Sequence, residues 1–400
     1  MNLNDTPSAN RLHIGFFGMR NAGKSSLVNA VTGQPLAVVS PVKGTTTDPV
    51  KKAMELLPLG PVVIVDTPGL DDEGNLGALR VKKARQMLEK VDLAVLVVDA
   101  LVGIRPEDEA LLAFLKENSL PYLVAFNKAD LLEKREELSK DVLYVSAETG
   151  EGIYELKERL ARMPRRVEEE KPLVSDLLVP GKPTILVIPI DASAPKGRII
   201  LPQQQVLREI LDNNAICLCC QDGEVKETIE SLKEKPGLVI TDSQAFGRVS
   251  KDVPEDIPLT SFSILFARYK GSLPALVRGA KKLGELKDGD KVLISEGCTH
   301  HRQCNDIGTV KMPHWIREYA GCEPTFSFSS GGEFPEDLKD YSLVVHCGGC
   351  MLTPVQMQSR MRAARDAGVP VVNYGVAIAQ MHGILERSLR PFPQVHEMLR

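Results

Sequence analysis

The residues Gly18-Met-Arg-Asn-Ala-Gly23-Lys24-Ser25 stand between an apolar run, Leu12–Phe17, and a helical stretch over 24–31. A G-x-x-x-x-G-K-S sequence in that setting constrains the fold more than composition can. It works only as the turn from a buried strand into a helix. Gly18 and Gly23 let backbone N–H groups turn toward phosphates. Lys24 offers a cation to the β- and γ-phosphates, and the Ser25 hydroxyl is a Mg²⁺ ligand. The helix N-terminus adds partial positive charge. Further short apolar runs at 62–65, 93–98 and 122–126 alternate with helical stretches such as 107–117. Residues 11–165 are therefore expected to form an α/β unit, a doubly wound P-loop sheet.

Downstream motifs name the nucleotide. Asp66-Thr-Pro-Gly69 follows a strand, so Asp66 can hold Mg²⁺ through water and the Gly69 N–H can sense the γ-phosphate. Asn127-Lys128-Ala-Asp130 follows another strand. The Asp130 carboxylate can accept two hydrogen bonds from guanine. Adenine lacks that donor pair, so GTP is selected over ATP. Ser146 and Ala147 fit the short loop behind the base, and in the switch-like stretch 43–48 Thr46 is the best aligned Mg²⁺ ligand. Lys24, Ser25, Thr46, Asp66 and Gly69 are the expected hydrolytic set.

Over residues 11–160 the chain resembles GTPases of the TrmE, Era and Der kind. Their switch often reads G-T-T-R-D, and here it reads Gly44-Thr-Thr-Thr-Asp48. Asn21 stands where K⁺-stimulated members carry a K⁺-coordinating asparagine. Leu70 follows the Gly69 position, where Ras-like GTPases place a water-orienting glutamine, and leucine has no group to orient water. The resemblance implies slow intrinsic hydrolysis, raised by K⁺ or by contact with a partner.

The remainder of the chain is α/β in style. Charge rises over 165–171 and Pro172 closes the stretch, as in a domain linker. Strands are expected at 185–190, 215–220 and 237–241, with helices at 203–211 and 224–233. Beyond them come strands at 263–266, 291–295, 325–329, 342–345 and 369–373, and a helix at 273–283. Two smaller α/β domains, 173–258 and 259–400, thus follow a first domain, 1–168. The middle one is small for burying its apolar strands 185–190 and 237–241 alone, so a homodimer is expected through them.

Two clusters of soft ligands lie in the last domain. Cys298-Thr-His300 and His346-Cys347-Gly-Gly-Cys350 are separated by 45 residues. Each directly follows an expected strand, and strand ends of open sheets gather ligands. Structural zinc, a thioredoxin-like dithiol of Cys347 and Cys350, and an iron–sulfur cluster on Cys298, Cys347 and Cys350 all fit these residue types. His300 and His346 are ligands or hydrogen-bonded supports, and Glu296, Cys304 and Asp306 are other donors for a fourth position. Cys217, Cys219 and Cys220 fit packing better. Strand neighbours point to opposite faces, so Cys219 and Cys220 cannot easily share a metal. Trp315, Phe326 and Phe328 are expected in core or interface.

The pairing of C-x-H and H-C-x-x-C behind a Der-like GTPase domain is similar to the FeFe-hydrogenase maturation GTPases, the HydF family, over the whole chain. The resemblance implies a GTPase, a dimerisation and a cluster domain. It implies a 4Fe–4S cluster on Cys298, Cys347 and Cys350, with His300 and His346 in the motif. It also implies a scaffold that carries a diiron precursor. Expected partners are the FeFe-hydrogenase catalytic subunit, two radical-SAM maturases and a second copy of the chain. Expected cofactors are GTP, Mg²⁺, K⁺ and the cluster.

Composition narrows the alternatives. Lys and Arg number 49 against 53 Asp and Glu, a net charge of −4, which gives no reason to expect nucleic acid as a partner. No K-homology module or basic C-terminal patch supports an RNA-processing GTPase. A zinc-stabilised regulatory GTPase is the other rival, and the colour of an anaerobic preparation, brown for an iron–sulfur protein, would separate the two. No apolar run is long enough for a bilayer and no secretory leader is evident, so a cytoplasmic protein with reduced thiols is expected.

Overall fold

The computed structural model describes residues 8–34, 50–66, 87–88, 90–135, 139–164, 171–190, 199–297, 306–331, 334–335 and 337–399. The chain divides into two compact units, Met1–Glu169 and Glu170–Arg400.

In the first unit, strands β1 (Leu12–Phe17), β2 (Val50–Leu56), β3 (Gly60–Asp66), β4 (Leu93–Asp99), β5 (Tyr122–Asn127) and β6 (Val142–Tyr144) build one sheet in the order β2-β3-β1-β4-β5-β6. All neighbours run parallel except β2, which pairs antiparallel with β3. The order reverses at β1 and β4, where ligands bind in open α/β sheets. Helices α1 (Lys24–Thr32), α2 (Pro106–Glu117) and α3 (Ile153–Arg162) accompany the sheet. Separate apolar clusters form, one including Ile14, Leu27 and Leu156, the other Phe17, Leu96 and Leu115. This is the doubly wound P-loop sheet that the motifs require. Strand β2 escapes the sequence pattern, because Val50-Lys-Lys-Ala-Met-Glu-Leu56 is a mixed edge strand without a continuous apolar run.

The second unit holds two four-stranded sheets, among the described residues. One contains β7 (Thr184–Val187), β8 (Cys217–Cys220), β9 (Leu238–Thr241) and β10 (Leu259–Ser261), in the order β10-β9-β7-β8. The other contains β11 (Lys291–Ser295), β12 (Thr325–Ser329), β13 (Leu343–His346) and β14 (Val371–Asn373), in the order β12-β11-β13-β14. Both are wholly parallel. Around them lie α4 (Leu201–Asp212), α5 (Val225–Glu230), α6 (Phe246–Asp252), α7 (Phe262–Lys270), α8 (Leu273–Lys281), α9 (Met312–Ala320), α10 (Pro354–Asp366) and α11 (Tyr374–Met381). One buried cluster takes residues from both sheets, including Ile185, Val239, Val292 and Val345, and from helices, including Leu265 of α7 and Ile378 of α11. The two C-terminal domains therefore share a core.

Three expectations change here. Residues 263–266 are not a strand but lie inside α7, whose N-cap Ser261 accepts a hydrogen bond from the Ile264 amide at 3.2 Å. A short apolar run cannot be told from a helix by periodicity, and the cap decides it. The sheet of the middle domain runs beyond residue 258, since β10 pairs with β9. Strands β7 and β9, expected to join two copies, are the central pair and are buried within one chain. Exposed apolar side chains instead surround the edge strand β8, with Leu211 at 52% and Ile216 at 60% exposure. In β8 itself, Cys217 and Cys220 pack against the core, whereas Cys219 is exposed, and the neighbouring Cys217 thiol draws the Cys219 pKa down. Trp315 packs on the core beside His382, and Phe328 is 42% exposed.

Candidate nucleotide site and cysteine loop

The phosphate loop leaves β1 and enters α1. Gly23 has a φ of 85°, and a Cβ there would stand 2.2 Å from Asn127 Nδ2. Only glycine allows both the turn and that approach. Asn127 Nδ2 donates to the Ala22 carbonyl at 2.9 Å, and its Oδ1 accepts from the Ala147 amide at 3.1 Å. One side chain thus ties the phosphate loop to the loop expected behind the base. Gly18 (φ 138°) and Asn21 (φ 62°) also adopt positive φ, and asparagine tolerates that region better than most residues. Lys24 Nζ donates to the Gly18 and Met19 carbonyls at 2.9 and 2.7 Å, so it lies across the loop.

Asp66 ends β3, 7% exposed. Its Oδ2 accepts from Ser25 Oγ at 3.0 Å, while Oδ1 is buried without a hydrogen-bond partner. Burial raises the carboxyl pKa, opposed by Ser25 and Lys24. A buried hydroxyl–carboxylate pair with an unused oxygen fits Mg²⁺ and its water shell. On the other side, Lys128 bonds Asp99 at 2.5 Å, and Asp130 lies exposed in the short helical turn Ala129–Leu131. Ser146 is fully buried, and its Oγ accepts from the Thr149 amide at 3.1 Å. The structure thus brings Gly18, Asn21, Gly23, Lys24, Ser25 and Asp66 together at one sheet end, with Asn127 bridging to Ala147. Thr46, Gly69 and Leu70 lie outside the described residues.

The cysteine loop leaves β13 in the other unit. His346 closes the strand at 2% exposure. Arg360 of α10, also buried, donates from Nη1 to His346 Nε2 at 2.9 Å and to Ser295 Oγ at 3.2 Å. A guanidinium has only donors, so Nε2 must accept and Nδ1 must carry the proton. That Nδ1–H donates to the Cys347 carbonyl at 2.8 Å. Burial first, then the Arg360 charge, lowers the imidazole pKa to about 4. His346 is therefore neutral, with both ring nitrogens engaged.

Cys347 Sγ accepts from the Gly297 amide at 3.0 Å and the Gly349 amide at 3.4 Å. Burial pushes the thiol up to about 11, against the pull of the Gly297 amide. Gly349 turns the loop with a φ of 65°. Burial likewise raises the Cys350 pKa, opposed by Lys270. Burial outweighs these groups, but the amides aimed at sulfur and the neighbouring cation oppose it and stabilise negative charge on sulfur, the state in which cysteine binds a soft metal or cluster. Nearby, Tyr374 O–H donates to Glu296 at 3.2 Å, and Asp306 caps the turn at Ile307–Lys311 through Thr309. Cys298, His300 and Cys304 lie outside the described residues. Among those described, no three His, Cys, Asp or Glu side chains gather as for a metal ion. Sequence reasoning missed Arg360 and Lys270, which belong to no motif.

Known proteins bear on both halves. A family model described as a 50S ribosome-binding GTPase matches residues 13–128. The Hydrogen maturase F dimerization domain matches 173–271, and the Hydrogen maturase F tetramerization domain matches 274–391. The chain is similar to tRNA modification GTPase MnmE of Nitrosospira multiformis, 36% identical over 157 residues, covering 38% of this chain and 34% of that protein. GTPase Der of Kosmotoga olearia is 28% identical over 214 residues, 48% of each chain. The matches thus span about a third to a half of the length of these curated relatives. Among solved structures, the probable GTP-binding protein engB is 26% identical over 37% of this chain and 96% of its own, with a TM-score of 0.30. Era in complex with MgGDPNP and 16S ribosomal RNA nucleotides is 21% identical over 52% of this chain and 91% of its own, with a TM-score of 0.35. Those two likenesses are too loose to add to the sheet order. The N-terminal unit is a GTPase domain that uses GTP and Mg²⁺, and residues 173–391 carry self-association domains.

Proposed function

The chain belongs to the hydrogen maturase F family through its two C-terminal domains, which together run from residue 173 to 391, and we propose that this hydrogenase-maturation GTPase is the scaffold that holds and delivers a diiron unit. The observation that carries the reading is the loop after β13, where Cys347 Sγ receives the Gly297 and Gly349 amides. Cys347 and Cys350, with Cys298, hold a 4Fe–4S cluster. Such a cluster, when bound, supplies one iron with a replaceable ligand to which the diiron cargo can attach. His346 does not ligate, because its single lone pair faces Arg360. It braces the Cys347 backbone instead.

In the N-terminal unit Lys24, Ser25, Thr46, Asp66 and Gly69 serve the phosphates and Mg²⁺. Asn127, Lys128, Asp130, Ser146 and Ala147 serve guanine. Asn21 serves K⁺, which raises a slow intrinsic rate. The receiving partner is the FeFe-hydrogenase catalytic subunit, and two radical-SAM maturases supply the diiron unit, in the cytoplasm. Among the described residues no helix is long and apolar enough to cross a membrane.

Activation of apo-hydrogenase tests the reading. Protein loaded with the diiron unit activates it. Cys347→Ala and Cys350→Ala fail while their GTP turnover stays at the parent rate. Full activation by either variant contradicts the scaffold role.

A further inference from the structure

Lys270 is 1% exposed, and neither the GTP site nor the cluster ligands account for it. It ends α7, within the dimerization domain at 173–271, yet its ammonium reaches into the tetramerization domain. There Nζ donates to the carbonyls of Gly349, Cys350 and Leu352, at 3.2, 2.9 and 2.8 Å. Three carbonyls match the three protons of an ammonium, so the group is held in one orientation, and although burial lowers its pKa to about 8 it stays mostly charged at neutral pH. All three acceptors belong to the cysteine loop or the turn behind it.

The helix that presents Lys270 is itself fixed. Ser261 caps its start, and Arg268 clamps it to Asp176 and to the Pro172 and Leu173 carbonyls. Asn373, the last residue of β14, reaches back to the Ser263 carbonyl at 2.9 Å. A buried lysine that only filled space could be replaced by methionine, since the stem is apolar. Here the charge is placed against the cysteine loop, in a setting where little water screens it.

Resting on the cluster reading above, we propose that Lys270 is a positioning residue: through it the dimerization domain fixes the Cys347–Cys350 loop and sets the reduction potential of the cluster held there. Its positive charge opposes the negative charge of a thiolate-bound cluster, and net charge near a cluster is one of the terms that set its potential. Removing the charge makes reduction harder. Removing the three hydrogen bonds loosens the loop whether or not iron is present.

The test uses the full chain with Lys270→Met, Lys270→Gln and Lys270→Arg. Amide exchange over residues 347–352 is measured on iron-free protein, and the reduction potential on anaerobically reconstituted protein. The two neutral variants should exchange about tenfold faster in the loop and shift the potential to more negative values. Lys270→Arg should return the potential to the parent value. If Lys270→Met does not fold, Lys270→Gln, which is uncharged, shorter and has only two N–H donors for the three carbonyls, carries the same readings. Neutral variants that match the parent in both exchange and potential overturn the proposal. So does an arginine variant displaced in potential as far as the neutral ones. A parent protein that binds no iron strikes the cluster reading instead, and the exchange measurement on iron-free protein still decides whether Lys270 holds the loop.

Discussion

Asn127 shows how one residue can organise a nucleotide site, joining the phosphate loop at Ala22 to the loop at Ala147. Asn127→Ala removes both bonds, and GTP affinity should weaken by roughly 1–3 kcal/mol, read as a rise in Kd. Unchanged affinity would mean the two loops are held by other contacts. Asp130→Ala should cost about 1.5–3 kcal/mol of GTP binding, through the loss of a charged acceptor for guanine. Equal turnover of ATP and GTP by the parent protein would remove Asp130 from that role. At the other site His346→Gln should keep iron close to the parent level, because the imidazole lone pair faces Arg360. Iron loss as complete as in Cys350→Ala would make His346 a ligand. The motif residues of the phosphate loop were legible because phosphate binding demands fixed residue types at fixed spacing. Arg360 and Lys270 were not, because their partners stand 14 and 80 residues away and nothing local marks the pairing.

Elements were legible where length and periodicity agreed. Strands 291–295 and 325–329 match β11 and β12 residue for residue. Helix α7 was misread because Phe262-Ser-Ile-Leu-Phe266 has the apolar density of a strand, although Ser261 already stood in place as its cap. Ser261→Ala should lower the stability of the second unit by about 1 kcal/mol, measured by denaturant unfolding. No change would show that the Ile264 amide finds another acceptor. In helix α2, Asp108 is 1% exposed and accepts from the Arg105 amide at 3.1 Å. Burial raises its pKa, partly opposed by that hydrogen bond. A raised carboxyl binds its proton more tightly in the folded state, so this group's contribution to stability is lost as pH rises from the ordinary carboxylate range through the raised value. Asp108→Asn keeps an acceptor for Arg105 and should flatten that fall in pH-dependent unfolding. An unaltered pH profile would contradict the assignment.

At the scale of the molecule, the shared core of the second unit joins what the sequence divided. Leu265 packs in a cluster that also contains Val239 and Val345, from the two different sheets. Leu265→Ala should therefore destabilise residues 170–400 as one cooperative transition, by about 2–5 kcal/mol. Two separate transitions by calorimetry, with only one displaced, would mean the domains fold independently. The boundary at 258 was unreadable for the same reason: no change in composition marks β10, which belongs to the sheet before it. The central claim is that this GTPase carries an iron–sulfur scaffold, and its most direct test is metal and sulfide content after anaerobic preparation. The account predicts iron and sulfide in the ratio of a 4Fe–4S cluster in the parent, both lost when Cys298, Cys347 and Cys350 are replaced together by alanine. Stoichiometric zinc without iron in the parent, or iron and sulfide retained in the triple variant, would contradict it.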